Sequence, residues 1–278
     1  MTGGKRAFDR GTNVGADGHD RSAYDFSRAA MARLWNLWGG GKNYDLADRT
    51  LGETVAAHFP QIESLARHRL TFRSRAVRTL VGEYGIDQVL VAGVDMPMRD
   101  EVHAIAHSIN PRAQVVYADA DELAMLYASI FFTGDADTCG FVSAGLEDPR
   151  AMLDGAAASL DFDRPIAVLL INSLDVLDDP QAVVALSALR EALAAGSHIA
   201  FCHLTAEHDR ELAVLGSMCA DARPGPPRVR SPAGLEAFCT DLMMIEPGLV
   251  AAPSWRPEPS PWPVPTEVDL WCGVGVLP

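Results

Sequence analysis

The fold class can be inferred outward from DQVLVAGVDMP, residues 87–97. This stretch holds a short apolar run that ends at Gly93, and the run AVLLIN at residues 167–172 repeats that pattern. Apolar residues at helical spacing follow each run, so strands and helices alternate along the chain. Strands that are apolar on both faces are typical of a parallel sheet covered by helices on both sides. The sequence therefore predicts an α/β protein with a doubly wound sheet.

The same pattern bounds seven strands and the helices between them. The predicted strands span residues 88–93, 114–118, 140–144, 166–172, 198–203, 242–245 and 268–274. The predicted helices span residues 99–109, 121–131, 149–158 and 180–194, with two more after residue 206 and near residues 233–239. A proline-rich segment, PSWRPEPSPWPVP at residues 253–265, joins the last two strands. This long connection predicts that the final pair includes an antiparallel strand.

The N-terminal part of the chain has a different pattern. Residues 1–21 are rich in Gly, Asp and Arg without apolar periodicity, which predicts a disordered lead-in. Helical spacing appears at residues 24–37 and 48–58, and again from Pro60 to Gly85. We therefore expect a helical cap at residues 22–85 and a Rossmann-like domain at residues 86–278.

Composition narrows the class of protein. Hydrophobic residues make up 48% and charged residues 22%, as in soluble globular domains. A net charge of −14 argues against nucleic acid as a main partner, because binding to phosphates rests on Lys and Arg. The five cysteines form no CxxC pair, and neither a signal peptide nor an apolar run of about 18 residues occurs. We expect a cytoplasmic protein that is neither secreted nor membrane-embedded.

The turn at Gly93 is the first candidate binding element. In open α/β sheets the ligand lies outside the carboxyl ends of the strands, where a glycine lets the backbone approach it closely. Gly93 follows the first predicted strand and is placed for this role. The alternative is a purely structural strand-to-helix turn, since one glycine is a weak signal.

Two acids end the second predicted strand in VVYADAD, residues 115–121. Asp119 lies about 25 residues beyond Gly93, where an acidic side chain can accept hydrogen bonds from both ribose hydroxyls of a bound nucleoside. In the alternative, Asp121 caps the following helix and Asp119 is a solvated carboxylate.

Candidate reacting groups follow the fourth and fifth strands. Asn172 closes the fourth strand, and Asp175 after it could act as a general base toward a hydroxyl or amine. His203 ends the fifth strand in AFCHLT and could take a proton near neutral pH. The alternatives are a turn cap for Asp175 and a structural role for His203.

The other motifs in the sequence give little evidence for a functional site. His103 and His107 have the spacing of a metal pair on a helix, but no Glu follows His103 and no third ligand is evident, which favours a surface role. The sequence has no GxSxG elbow and no P-loop lysine, so acyl-enzyme and nucleoside triphosphate chemistry lose support.

From Arg33 to Gly275 the chain resembles a bacterial family of S-adenosylmethionine-dependent methyltransferases formerly known as a domain of unknown function. The segments that carry the resemblance, in family order, are RLWNLWGGGKNYDLADR, ARHRLTFRSRAVRTL, VLVAGVDMP, EVHAIA, AQVVYADAD, GLEDPRAML, RPIAVLL, HLTAE, EPGLV, WRP and GVG. The resemblance implies a Rossmann-like methyltransferase fold, a mostly parallel seven-stranded doubly wound sheet with an N-terminal helical cap. It also implies S-adenosylmethionine as the cofactor.

The resemblance also suggests which residues form the site. Gly93 and Pro97 would belong to the cofactor loop and Asp119 would contact the ribose, while the Gly40-Gly41-Lys42 motif would close over the cofactor. The complete set expected at the cofactor is Lys42, Gly93, Pro97, Asp119, Ala120, Ala144, Gly145 and Asn172. Asp175 or His203 would steer or deprotonate the acceptor.

The chain departs from the family pattern at five positions. Val91 and Asp95 stand where the cofactor loop has an acid and a second glycine, and Gly145 replaces an acid that would receive the adenine amino group. Asp175 replaces a histidine, and Asn36 replaces an acid in the cap. Each lost charge-assisted hydrogen bond costs about 1.5 to 3 kcal/mol of binding energy unless another group replaces it.

Three hypotheses of function follow. The first is a methyltransferase that acts on a small-molecule hydroxyl, amine or carbon, with catalysis mostly by alignment in a closed site. The second is an enzyme that keeps the pocket for another reaction on a natural-product-like substrate, and the third is a non-catalytic binding or regulatory protein. The expected partner is a small-molecule acceptor rather than nucleic acid or membrane, and a homodimer is the candidate assembly.

Overall fold

The computed structural model describes residues 26–132, 138–259, 261 and 263–278. Its α-helices are α1 (Met31–Trp38), α2 (Leu46–His58), α3 (Ile62–Val77), α4 (Val102–Ile109), α5 (Glu122–Phe131), α6 (Pro149–Ala156), α7 (Asp179–Ala192), α8 (Leu215–Met218) and α9 (Pro232–Glu236). The predicted lead-in at residues 1–21 and the predicted helix start at residue 24 lie outside the described residues. Within the described ranges, no helix is long and apolar enough to cross a membrane.

The strands form one mixed sheet, as the sequence predicts. In the described part of the chain they are β1 (Gln88–Ala92), β2 (Gln114–Ala118), β3 (Cys139–Val142), β4 (Ala167–Ile171), β5 (His198–Leu204), β6 (Met243–Met244), β7 (Val250–Ala251) and β8 (Leu270–Val276). The order across the sheet is β3-β2-β1-β4-β5-β8-β6. The first five strands are mutually parallel. The mostly parallel, doubly wound prediction is confirmed.

The predicted antiparallel strand is present at one end of the sheet, but the number of strands there differs from the prediction. Strand β8 pairs antiparallel with β5, and β6 and β7 both pair with β8. The sheet therefore has eight strands within the described residues, one more than the seven predicted. Pro247 lies between the two short strands, and because proline has no backbone N–H to donate, the edge strand is divided there.

Each central strand faces two apolar cores. On β1, Val89 and Val91 pack into the core that also contains the cap helices, whereas Leu90 and Ala92 pack against the opposite helical layer. All five residues of β1 are buried, and the same holds for β4. This double burial explains why the strands read as continuous apolar runs instead of alternating.

The cap is tied to the rest of the molecule through buried polar and apolar contacts. The buried Asp48 carboxylate accepts a hydrogen bond from the Ala30 backbone N–H at 2.9 Å and pairs with Arg33 at 2.6 Å, which fixes the start of α1. Phe72 of α3 is fully buried in the core that contains Val89 and Val91. The division into a cap and a domain at residue 85 stays a prediction, since both share this core.

Three of the helices that follow parallel strands, α5, α6 and α7, begin at aspartate caps on the carboxyl side of the sheet. Asp121 accepts from the Leu123 backbone N–H at 2.9 Å, Asp148 from Ala151 at 3.1 Å and Asp178 from Gln181 at 2.8 Å. Such caps satisfy N–H groups that have no partner inside the helix. They also place a dense set of acids along one edge of the sheet.

Candidate active site

A cavity lies at the carboxyl edge of the sheet, where β1 and β4 are neighbours and the strand order reverses. Its wall is formed by Met31, Ala32, Trp35, Arg69, Gly93, Val94, Asp95, Asp119, Asp121, Gly145, Leu146, Glu147, Ile171, Asn172, Ser173, Val176, Leu177 and Pro224. Residues of α1 and α3 cover it. The cavity volume is about 80 Å³. Ligand pockets usually measure about 300 Å³ or more, so the space between the cap helices and the sheet edge encloses only part of a ligand of nucleoside size.

Gly93 forms an open turn at the centre of this wall. Its φ angle is +98°, a conformation that favours glycine, and its N–H donates to the Ala118 carbonyl at 2.9 Å. A Cβ at this position would lie 2.5 Å from the Ser173 Cβ. The Ser173 hydroxyl oxygen is buried and has no hydrogen-bond partner among the described residues. The close approach of Ser173 therefore requires glycine at position 93, and the Ser173 hydroxyl is left free to meet a ligand.

Asp119 is held rigidly beside this turn. Its carboxylate accepts from the Val94 backbone N–H at 2.7 Å and from the Asp121 backbone N–H at 2.8 Å. A carboxylate has about four acceptor positions, so two remain for a ligand. Burial raises the pKa of Asp119 to about 7, although both backbone N–H groups oppose the shift. Asp121 caps α5, so that part of the alternative interpretation is correct, but Asp119 is tethered instead of solvated.

An acid that sequence reasoning missed lies over the loop after β3. A Cβ at Gly145 would lie 2.5 Å from Glu147 Oε2, so the Glu147 carboxylate takes the space of a side chain at position 145. Glu147 also lines the cavity. Gly145 therefore departs from the family pattern without removing an acid from this part of the wall. The GLED sequence at residues 145–148 is the signal that could have revealed it.

A cluster of paired charges closes the side of the cavity nearest the cap. Arg69 of α3 donates through Nη2 to both carboxylate oxygens of Asp95 at 2.9 Å. Arg73 Nη1 lies 3.7 Å from Asp95 and 3.4 Å from Glu101. The Trp35 ring packs on the Arg69 guanidinium, with 4.7 Å between the ring centroid and Cζ. Desolvation raises the pKa of Glu101, and Arg73 opposes that shift.

Asn172 connects this cluster to a second, buried network. It adopts a φ of +59°, accepts from Arg69 Nε at 3.1 Å and donates to Asp175 Oδ2 at 2.6 Å. His203 Nε2 lies 3.1 Å from Asp175 Oδ1 and 2.5 Å from Arg230 Nη1. Burial raises the pKa of Asp175 to about 8 and lowers the pKa of His203 to about 3. Both side chains are therefore mainly uncharged at neutral pH.

The structure brings Asp175 and His203 together but keeps them off the cavity wall. Their side chains are 1% and 0% exposed, and Asn172, Ser173 and Val176 line the cavity in their place. A direct role as general base requires contact with the acceptor, which this arrangement does not provide. The predicted catalytic role of these two residues is therefore not supported by their positions.

The predicted cofactor residues divide into two groups. Gly93, Asp119, Gly145 and Asn172 line the cavity, whereas Lys42, Pro97, Ala120 and Ala144 do not. The Pro97 carbonyl is held by the cap, because it accepts from Asn43 Nδ2 at 2.9 Å and from Asn36 Nδ2 at 3.3 Å. Lys42 and Ala120 are exposed, and Ala144 packs against the core on the far side of the sheet. Contacts of these four with a cofactor stay predictions that the geometry does not support.

Asn36 explains one departure from the family pattern. Its amide nitrogen lies 3.4 Å and 3.3 Å from the carbonyls of Met96 and Pro97, and its amide oxygen accepts from the Asn43 N–H at 2.8 Å. An ionised acid at this position could not donate to the two carbonyls. Asn36 therefore joins the cap to the loop after β1.

A glycine turn after β1 and a tethered acid after β2, at the point where the strand order reverses, define the class of nucleoside-binding α/β proteins. The chain belongs to the S-adenosyl methyltransferase family, whose sequence profile matches residues 17–278. This confirms the resemblance, and the protein is a methyltransferase that uses S-adenosylmethionine.

Two solved structures are similar along most of their length. A candidate methyltransferase from Thermobifida fusca YX has 30% identity and a TM-score of 0.84, with 91% of this chain and 96% of that chain covered. A DUF574 family protein from Streptomyces avermitilis MA-4680 has 29% identity and a TM-score of 0.85, with 91% and 99% covered. No curated protein matches the chain. Of the three hypotheses, the comparisons favour the first.

Proposed function

We propose that this methyltransferase binds its cofactor in the cavity beside Gly93 and transfers the methyl group to a hydroxyl, amine or carbon of a small molecule. The observation that carries the proposal is the free hydrogen-bonding capacity at the sheet edge. The Ser173 hydroxyl is buried without a partner among the described residues, and Asp119 keeps two acceptor positions beside the Gly93 turn, which Ser173 packs against. Unpaired buried polar groups are costly unless a ligand meets them.

The order of the strands supports a proposal for where each part of the cofactor binds. Along the edge from β3 to β4, the wall presents Glu147, then Asp119, then the Gly93 turn, then Asn172. Asp119 would accept from the ribose hydroxyls, as acids at this point of such sheets do. Glu147 would then accept from the adenine amino group, and the reacting end would lie toward Asn172.

The chain's own residues contribute mainly alignment and exclusion of water. When bound, S-adenosylmethionine supplies a methyl group activated by its positively charged sulfonium. Met31 and Trp35, both buried on α1, would cover the reacting end and exclude water from it. Holding the acceptor in line with the methyl group can supply a large part of the rate enhancement without a dedicated base.

Asp175 and His203 would act as positioning residues in this scheme. Asp175 holds the Nδ2 side of Asn172, while Arg69 donates to its Oδ1 side. With both ends of its amide fixed, Asn172 presents a constant surface to the reacting end. This replaces the direct proton-transfer role predicted from the sequence.

Calorimetric titration with S-adenosylhomocysteine tests the cofactor site. We expect Asp119→Ala to weaken binding by about a hundredfold, because two hydrogen bonds to a charged acceptor are lost. Asp154→Ala is the matched control, since Asp154 is an exposed acid on α6 away from the cavity wall. Wild-type protein that binds nothing at millimolar ligand would overturn the proposal, and unchanged affinity in Asp119→Ala would overturn the role of Asp119.

The acceptor class needs a separate measurement. Formation of S-adenosylhomocysteine from S-adenosylmethionine would be followed with panels of small phenols, aliphatic amines and activated carbon acids. Turnover with at least one panel, lost in Asp119→Ala and kept in Asp154→Ala, is the expected result. A protein that binds the cofactor but turns over only peptides or nucleic acids would contradict the small-molecule assignment.

A further inference from the structure

The Arg69–Asp95 pair lies at the crevice between β1 and β4, beyond the positions proposed for adenine and ribose. Asp95 follows β1, and Arg69 reaches from α3 to Asn172 after β4. Both side chains line the cavity. The role inferred for this pair rests on the proposed function, because it concerns the part of the cofactor that extends past the ribose.

Each member of the pair keeps free capacity toward the cavity. Asp95 accepts two hydrogen bonds from Arg69 Nη2, which leaves about two of its four acceptor positions, and its side chain is 13% exposed. Arg69 uses Nε for Asn172 and Nη2 for Asp95 and the Ile171 carbonyl. Its Nη1 has no hydrogen-bond partner among the described residues. A ligand can therefore meet both charges without breaking the bridge.

The charge balance around the pair favours a ligand group that carries both signs. Arg73 and Glu101 extend the bridge, so the cluster contains two guanidinium groups and two carboxyl groups. A lone anion or a lone cation would leave one of these buried charges facing a like charge. An ammonium next to a carboxylate matches Asp95 beside Arg69, each charge opposite its complement.

We propose that Asp95 and Arg69 together bind the zwitterionic amino-acid end of the cofactor, with Asp95 accepting from its ammonium group and Arg69 donating to its carboxylate. Asp95 is then a specificity-determining residue that makes the site prefer adenosyl amino acids over other nucleosides. The bulk and charge that Asp95 adds to the loop are used in binding instead of obstructing it.

The test compares three nucleosides by calorimetry. S-Adenosylhomocysteine has the complete amino-acid end, its deaminated analogue keeps only the carboxylate, and 5′-methylthioadenosine has neither group. In wild-type protein we expect the deaminated analogue to bind about tenfold or more weakly than S-adenosylhomocysteine. Asp95→Asn should lower the affinity for S-adenosylhomocysteine about tenfold to a hundredfold, leave 5′-methylthioadenosine within about threefold and remove the preference for the ammonium group.

The outcomes separate this inference from the proposed function. Binding of 5′-methylthioadenosine supports the nucleoside site whatever Asp95 does, and absence of binding by all three ligands overturns both proposals. Unchanged or tighter binding of S-adenosylhomocysteine in Asp95→Asn overturns the role of Asp95 alone. The matched control is Asp154→Asn, which removes an exposed carboxylate and should change no affinity. If Asp95→Asn fails to fold, the wild-type comparison decides, and equal affinities for the first two ligands overturn the inference.

Discussion

Asp119 and Asp175 both follow strands of the same sheet, and burial raises the pKa of both, to about 7 and about 8. Asp119 directly follows β2, is held by two backbone N–H groups and lines the cavity. Asp175 lies four residues beyond β4, behind Asn172, and is held by side chains in a sealed network. An acid with a shifted pKa at the end of a strand therefore identifies a binding group only if its remaining acceptor positions face the cavity.

The two acids should differ most in how much they contribute to the stability of the fold. Asp175→Ala leaves the buried Asn172 amide and the Leu204 backbone N–H without their acceptor and removes the carboxyl group beside His203, and we expect the free energy of unfolding to fall by about 3 kcal/mol. Denaturant unfolding monitored by circular dichroism measures this. Asp119→Ala removes fewer side-chain contacts and should cost less. Equal losses in the two variants would contradict the distinction between a sealed acid and a ligand-facing acid.

The pH dependence of stability gives the next largest effect. The folded-state pKa of Asp175, about 8, lies above the ordinary aspartate value of 3.8. A carboxyl group with a raised pKa contributes its stability below the unfolded pKa, and this is lost as the pH rises through the folded pKa. Between about pH 4 and pH 8, wild-type protein should lose up to about 1 kcal/mol per pH unit relative to Asp175→Asn. A difference between the two proteins that stays constant with pH would contradict the shifted pKa.

The fold and part of the site could be predicted from the sequence because they depend on local pattern. Strand ends follow from apolar runs, so the amino-acid order alone places Gly93, Asp119, Gly145 and Asn172 at one edge of the sheet, where all four line the cavity. The short strand β7 could not be predicted, because two residues between a proline and a 3-10 turn carry no period.

The rest of the site depends on which elements pack together. Arg69 and Trp35 belong to cap helices, and nothing in their spacing shows that they cover the sheet edge. Glu147 turns back over Gly145, a geometry that depends on the loop conformation. Asn172 adopts a positive φ after β4, and Asp175 three residues later lies behind it and not on the cavity wall. These are tertiary effects that single-sequence patterns do not encode.

The pH dependence of binding is expected to act on Asp119. Ribose hydroxyls donate to an ionised carboxylate, so affinity requires the deprotonated form of Asp119, whose pKa is about 7. Below that pH, affinity for 5′-methylthioadenosine should fall up to about tenfold per pH unit. The affinity would be measured at about pH 8, 7 and 6 in wild type and in Asp175→Asn. We expect the affinity to change with pH in the same way in both proteins, and a different change in Asp175→Asn would show that Asp175 contributes to it.

The smallest expected effect concerns Glu147, which is exposed at the proposed adenine end of the wall. Glu147→Gln keeps an acceptor oxygen but removes the charge, so the affinity for 5′-methylthioadenosine should fall by only about threefold to tenfold because water screens an exposed group. The matched control is Glu122→Gln, an acid on α5 that does not line the cavity. Inosine carries an oxygen in place of the adenine amino group of adenosine. Replacing adenosine by inosine should weaken binding to the wild-type protein more than binding to Glu147→Gln. Equal discrimination in both proteins would place the adenine contact elsewhere, because the carboxylate specifically penalises a carbonyl oxygen that faces it.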